Sequence, residues 1–330
     1  MIPLSVLDLV PVGSNDSAAA AVHRVGDLAR LAERLGYVRY WFAEHHGMHS
    51  VASSAPEILI GHVASATTKL RVGSGGIMLP NHAPLRIAEA FRTLAALHPD
   101  RIDLGIGRAP GSDQTASRAL RAVDGGHFPQ LLGEVLTLCG QSEFPPGHWM
   151  KNLAAMPNDA PLPPIWILGS SGASAQMAGN AGMGYSFASH FSPSPAAPAF
   201  EAYRRSFVPS VQFPESHTIL GVAVVCAETQ EEADIIATSM DLLWVSIHRG
   251  EFIPLPSPEE AMRYPYSAAE RRIVDARRAL TVVGPPDLVA EQVDAKARAC
   301  GASEVMITSN IYDHATRLRS YELLTSAFVG

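Results

Sequence analysis

One acid and three histidines crowd into Glu44-His45-His46-Gly47-Met48-His49, directly after the apolar run Tyr40-Trp41-Phe42-Ala43. Imidazoles and a carboxylate at this density suit acid–base catalysis near neutral pH, orientation of a bound ligand, or metal coordination. Side chains alternate along an extended chain, so a strand continuing through the pair would turn His45 and His46 to opposite faces. Only one could then face a common pocket. That argues against both holding one metal, and an irregular loop lacks the matched ligand geometry of a helix-borne zinc motif. A histidine packed at a strand end with both nitrogens satisfied is the plain alternative, and the residues alone leave it open.

Two further groups suit an anion and a flat ring. Gly169-Ser170-Ser171-Gly172-Ala173-Ser174 follows an apolar run and opens a small-residue helix, where unpaired backbone N–H groups, the helix dipole and hydroxyls can cradle a phosphate. It is neither a P-loop nor a dinucleotide fingerprint, and simple capping by Ser170 or Ser171 is an equal alternative. Arg108, just after another apolar run, adds a positive charge, although a salt bridge to Asp103 or Asp113 would employ it equally well. Gly73-Ser74-Gly75-Gly76 would leave an open shelf of main chain for a flat ring, or a bulge with no ligand.

The elements that must carry these residues alternate. Strands are expected at Ile2–Leu9, Val38–Ala43, Leu70–Met78, Arg101–Gly107, Ile165–Leu168, Gly184–Phe187, Ile219–Cys226 and Glu304–Thr308. Asn15-Asp16-Ser17 can cap a first helix whose apolar positions Val22, Val25, Leu28, Leu31 and Leu35 recur at helical spacing up to Gly36. Further helices are expected over Pro56–Thr67, Pro84–Leu97, Ser117–Cys139 and Pro286–Ala299. The Pro-rich connection Pro145–Pro164 reads as an excursion over the mouth or rim, and Met240–Ala276, with four prolines, as a lid or insertion. Trp41, Trp166 and Phe187 read as core. The expected architecture is α/β, a TIM (β/α)8 barrel with insertions at the carboxyl-end face, in one domain over 1–330. In such a barrel the carboxyl ends of the strands face the active site, where the acid–histidine cluster falls.

Composition bounds the rest. The chain has 330 residues, 47% hydrophobic and 17% charged, far from the signature of disorder. A net charge of −7 without any Lys/Arg run argues against nucleic-acid binding. Cys139, Cys226 and Cys300 are widely spaced and odd in number, giving neither a disulfide framework nor metal spacing. A reducing cytoplasm is expected, with no secretory leader and no membrane span.

The motifs Trp-Phe-Ala-Glu-His-His, Val-Gly-Ser-Gly-Gly-Ile-Met-Leu-Pro and Asp-Leu-Gly-Ile-Gly-Arg end strands 2, 3 and 4 in this order. With Val283-Gly284-Pro285-Pro286-Asp287 near the last barrel helix, the chain resembles the bacterial luciferase-like flavin monooxygenases over nearly its whole length. The resemblance implies FMN, reduced by a separate NAD(P)H:flavin reductase, and transfer of one oxygen atom of O2 to a small organic substrate through a flavin hydroperoxide. By position, His45 is similar to the family's catalytic histidine. Gly75-Gly76 matches a dipeptide that is commonly a non-proline cis bond beneath the flavin ring. Arg108, Ser171 and Ser174, with the Ser170 main chain, fall where the family binds the flavin phosphate. Asp113 lies in the loop after strand 4, where an acid influences flavin reactivity in some members. A homodimer through helices flanking strands 2 and 3 is implied as well. Gly107 stands where luciferases carry a reactive cysteine, and Met240–Ala276 does not resemble the long mobile loop of the light-emitting subunit, so light emission is not carried over. The rivals are a deazaflavin-dependent hydride-transfer enzyme, a non-catalytic flavin-binding protein, and a metal-dependent hydrolase using His45, His46 and His49. Strand 1 lacks the His-x-His pair expected of many such hydrolases.

Overall fold

Eight apolar runs form the parallel staves of a closed barrel in the computed structural model, which describes residues 2–109 and 111–329. The strands are β1 (Leu4–Asp8), β2 (Arg39–Phe42), β3 (Arg71–Ser74), β4 (Ile77–Met78), β5 (Ile102–Gly107), β6 (Ile165–Gly169), β7 (Gly184–Phe187), β8 (Thr218–Cys226), β9 (Thr281–Gly284) and β10 (Glu304–Thr308). Neighbours pair in parallel in the order β1, β2, β3, β5, β6, β7, β8, β10, and β10 closes on β1 with Leu4 opposite Val305. Parallel neighbours need long crossovers, which the helices supply. The TIM barrel is thereby established.

Two strand expectations change. The expected third strand is divided at a cis Gly75–Gly76 peptide into β3, paired with β2 and β5, and β4, paired with β5 alone. β9 is an extra strand: Ala223 of β8 lies opposite Thr308 on one edge and Thr281 on the other. It extends the sheet at the mouth without being a stave.

Helix expectations are corrected where a residue stops the chain from continuing. The first helix starts at Ser17, whose side chain accepts from the Ala20 N–H at 3.1 Å, and ends at Gly36 with φ 81°, but it breaks at Arg24 into Ala18–His23 and Val25–Leu35. Arg24 turns back to pair with Asp16. Ser117–Cys139 is a short helix, Gln114–Ala119, then a 3-10 turn at Gly125–His127 and a helix Phe128–Leu138. Gly125-Gly126 is a poor helix segment, and Pro129 suits only a first turn. Pro145–Pro164 does not cross the mouth. The buried Arg92 guanidinium of the helix Pro84–Leu97 binds the Ala155, Asn158 and Ala160 carbonyls at 2.8–2.9 Å and holds this segment against the barrel's flank. Met240–Ala276 is mostly helical: it contains the end of Gln230–His248, all of Pro258–Arg263 and most of Ala268–Arg278.

The barrel interior is layered, and the layering makes the site. Its amino-end layer is ionic: Arg39 binds Asp103 and Glu304, each at 2.7 Å, while Arg71 also binds Asp103 and Ser5 also binds Glu304. Above it Leu7, Trp41, Trp166, Ile219 and Met306 form an apolar plug. Trp41, Trp166 and Phe187 are therefore core, as expected. Small residues follow at the carboxyl end, among them Ala43, Gly75, Gly107, Gly221 and Ala223. Large side chains below and small ones above leave a cavity with a solid floor.

Candidate active site

The cavity at the barrel mouth measures about 960 Å³ and is lined by His45, Gly75, Arg108, Ser170, Ser171 and Ser174, among others. Six of the seven residues singled out from the sequence therefore meet at one cavity. The seventh, Gly76, lies across the cis bond from Gly75. A Cβ on Gly75 would come within 2.7 Å of Leu7 and 3.1 Å of Trp41, so only glycine leaves this shelf flat against the apolar plug.

His45 is held as a single neutral tautomer. Its Nδ1 lies 3.0 Å from the Gly111 carbonyl oxygen, which can only accept, so Nδ1 carries the proton and Nε2 keeps its lone pair. Burial lowers its pKa, outweighing the Gly111 carbonyl and Glu44, which favour the charged form. The ring is thus a neutral hydrogen-bond acceptor at the cavity wall.

Glu44, unassigned from the sequence, precedes this histidine and anchors the end of β2. Its buried carboxylate accepts from the Met78 N–H at 2.9 Å and from Asn81 at 3.1 Å, and it pairs with His46 and His82, each at 2.9 Å. Burial alone would raise its pKa; His82, His46 and the Met78 N–H reverse the direction and hold it low. His82 moves the opposite way, its proton affinity raised by Glu44 despite burial. The end of β2 is thereby tied to the segment after β4. His46 is committed to Glu44, His45 to Gly111, and His49 is exposed, so the three imidazoles do not converge. Among the described residues no His, Cys, Asp or Glu set is grouped to hold a metal.

The phosphate cradle keeps its donors. Ser171 is the N-cap residue of the helix Gly172–Asn180, yet its hydroxyl makes no capping bond, so capping does not consume the N–H groups of the first turn. Ser174 Oγ donates to the Ser171 carbonyl at 2.9 Å and lies 3.2 Å from the Tyr185 hydroxyl, fixing the loop. Added to Gly169, a Cβ would lie 2.2 Å from Ser174 Oγ, so glycine is what lets this loop close. Arg108 forms neither salt bridge considered from the sequence. Asp103 belongs to Arg39 and Arg71, and Asp113 caps the helix Gln114–Ala119 by accepting from the Ala116 N–H at 2.7 Å. Uncapped amides, fixed hydroxyls and an exposed guanidinium on one cavity fit a flavin phosphate.

His190 was missed. It follows β7 by three residues and lines the same cavity, so the strand-end rule that marked His45 would have found it. Burial, then the neighbouring His45, lowers its pKa to about 4. Its ring packs against the backbone of β8, where a Cβ added to Gly221 would lie 2.8 Å from Nδ1.

Comparison with known proteins agrees with this geometry. Residues 2–304 match the family model described as luciferase-like monooxygenase. A luciferase-like monooxygenase of Escherichia coli (strain K12) is 40% identical over 331 residues, covering 98% of this chain and 96% of its relative. The N-acetyl-S-alkylcysteine monooxygenase of Bacillus subtilis (strain 168) is 34% identical over 336 residues, covering 100% of this chain and 99% of that protein. The crystal structure of apo-MsnO8 superposes with a TM-score of 0.89 at 37% identity, covering 99% of this chain and 98% of the other. With the barrel, the strand-end histidine and these matches in hand, the chain belongs to the luciferase-like monooxygenase family of oxidoreductases.

Proposed function

We propose that the protein is an FMN-dependent monooxygenase that uses reduced FMN and O2 to oxidise a small organic substrate. The observation that carries this reading is the meeting, on one cavity, of a phosphate cradle, a flat glycine shelf and a neutral histidine with a free acceptor nitrogen. Arg108, Ser171, Ser174 and the Ser170 main chain would hold the phosphate, and Gly75–Gly76 would lie against the ring. Reduced FMN, when bound, supplies two electrons to O2, so that one oxygen atom enters the substrate and the other leaves as water. His45 would accept a hydrogen bond or proton at Nε2. The apolar plug of Trp41 and Trp166 closes the barrel below the cavity and would keep water from entering through the core. Delivery of reduced FMN by a separate reductase and assembly as a homodimer belong to the proposal. N-acetylated, S-alkylated cysteines, named for the B. subtilis relative, are the first substrates to screen.

The test separates phosphate binding from ring binding. Replacing Arg108 with Gln should weaken FMN about ten- to hundredfold, the worth of a charge-assisted hydrogen bond, and leave riboflavin nearly unchanged. Fluorescence titration of both flavins against both proteins measures it. Equal losses for FMN and riboflavin would remove Arg108 from the phosphate site, and tighter binding of a deazaflavin than of FMN would favour hydride transfer instead.

His190, which lines the cavity, yields a separate expectation. Changing His190 to Phe keeps a flat ring, somewhat larger, but removes the polar atoms, so it should raise the KM of whichever substrate the screen identifies by about tenfold or more, with FMN affinity intact. Steady-state kinetics would show the split between KM and kcat.

A further inference from the structure

Arg277 brings another guanidinium to the same cavity. It lies in the last turn of the helix Ala268–Arg278, stacked on Trp244 with its Cζ 4.1 Å from the ring centroid, and its Nη1 donates to the Phe191 carbonyl at 3.3 Å. The group is thus held in place with most of its N–H donors uncommitted. Its neighbour Arg278 is fully engaged, fork-bonded to Asp241 at 2.7 and 2.8 Å, whereas no carboxylate pairs with Arg277 among the described residues. Beyond the Asp241–Arg278 pair and Thr281 the wall is apolar. Met240, Trp244 and Ile247 recur at helical spacing along Gln230–His248, and Phe252 and Leu255 continue the lining.

We propose that this part of the cavity binds a small amphipathic carboxylate as the substrate, with Arg277 taking the carboxylate and the Met240–Ile247 face taking the hydrocarbon body. The inference rests on the oxygenase reading above and narrows its substrate. The surroundings select the class. The uncapped helix amides and serine hydroxyls at Ser171–Ser174, the donors a doubly charged phosphate needs, are the part of the cavity assigned above to the phosphate together with Arg108. Arg277 sits instead at the carbonyl end of its own helix, where the dipole favours the cation and resists multiple negative charge. One planar guanidinium beside an indole matches a planar monoanion joined to an apolar chain.

The test is calorimetric titration of the FMN-saturated protein with hexanoate, octanoate and decanoate, each beside its primary alcohol. Carboxylates should bind at least tenfold tighter than the matching alcohols, with affinity rising roughly fourfold per added methylene while the apolar wall is being filled. Arg277→Gln should remove the preference for carboxylate, a loss of about ten- to hundredfold, and leave the alcohols unchanged. Arg277→Lys should restore part of it. Equal binding of acids and alcohols by the wild type, no binding of any carboxylate, or loss of FMN rather than carboxylate affinity in Arg277→Gln would each overturn the proposal. Failure of the parent reading looks different: FMN itself would not bind, and the same titrations on the flavin-free protein would still report on Arg277.

Discussion

His45→Ala should lower turnover by about 10²- to 10⁴-fold, the usual contribution of a positioned acid–base group, while FMN affinity stays within a few-fold of the wild type. The imidazole touches neither the cradle at Ser171–Ser174 nor the Arg108 guanidinium in the hydrogen-bond network, so cofactor binding has no reason to fail with it. Stopped-flow absorbance after mixing the reduced FMN complex with oxygen, followed by substrate-dependent turnover, would measure both quantities. The wild-type pH profile carries a second signature. Because burial lowers the pKa of His45, its neutral form already dominates at neutral pH. Activity should rise with pH through an apparent value below the ordinary imidazole value of about 6.5 and then level off. Burial and the neighbouring His45 push His190 down to about 4, so it too is neutral at neutral pH. The variant should lose the acidic limb together with its rate; an unchanged limb would assign it to another group, and unchanged turnover would end the catalytic role of His45.

Arg39→Met should destabilise the fold by about 3–5 kcal/mol, measured as a lower urea midpoint at unchanged slope. Arg39 is 5% exposed and pairs with two carboxylates that are each about 1% exposed, so its removal leaves buried negative charge with only partial compensation. Arg71 still serves Asp103 and His217 still serves Glu304, at 2.6 and 3.1 Å, which keeps the loss from being larger. The pH dependence follows from the direction of the shifts. Burial alone would raise the pKa of both Asp103 and Glu304, but Arg39 and their other partners hold both below the usual carboxylate range. A carboxylate with a depressed folded-state pKa stabilises above its unfolded value and loses that contribution as pH falls through the folded one. Wild-type stability should therefore decline on acidification below about pH 4, the ordinary carboxylate range. In Arg39→Met the carboxylates lose their main counter-charge and take up protons more readily, so the gap between the two proteins should narrow toward acid. A gap that is constant with pH would mean that Arg39 acts through packing against Trp166, whose ring centroid lies 4.7 Å from its Cζ, rather than through charge.

Much of this protein is legible in its sequence because the relevant signals are local. A buried parallel strand is a short apolar run, and all eight staves were marked that way, usually within a residue or two of their ends. The strand-end rule then places His45, Gly75, Arg108 and Ser170–Ser174 on one face, since every stave of such a barrel opens its carboxyl end to the same side. Some missed signals were local too. Ser257 with Glu260 and Ser267 with Glu270 are capping boxes, each with both reciprocal bonds formed, and they turn the supposed Pro-rich lid into helices.

What the tertiary structure alone decided concerns groups brought together from distant positions. The proton on His45 is placed by a carbonyl 66 residues away, and Glu44 becomes a hub only because the segment after β4 returns to it. Arg108 is released for a ligand because Arg39 and Arg71 claim Asp103 and a helix claims Asp113. His190 meets His45 only because β7 and β2 open onto one cavity. Sequence period reports which face of an element is buried, and strand ends report on which side chemistry can sit. Charge state and hydrogen-bond commitment depend on partners, and the closed barrel chooses those partners across hundreds of residues.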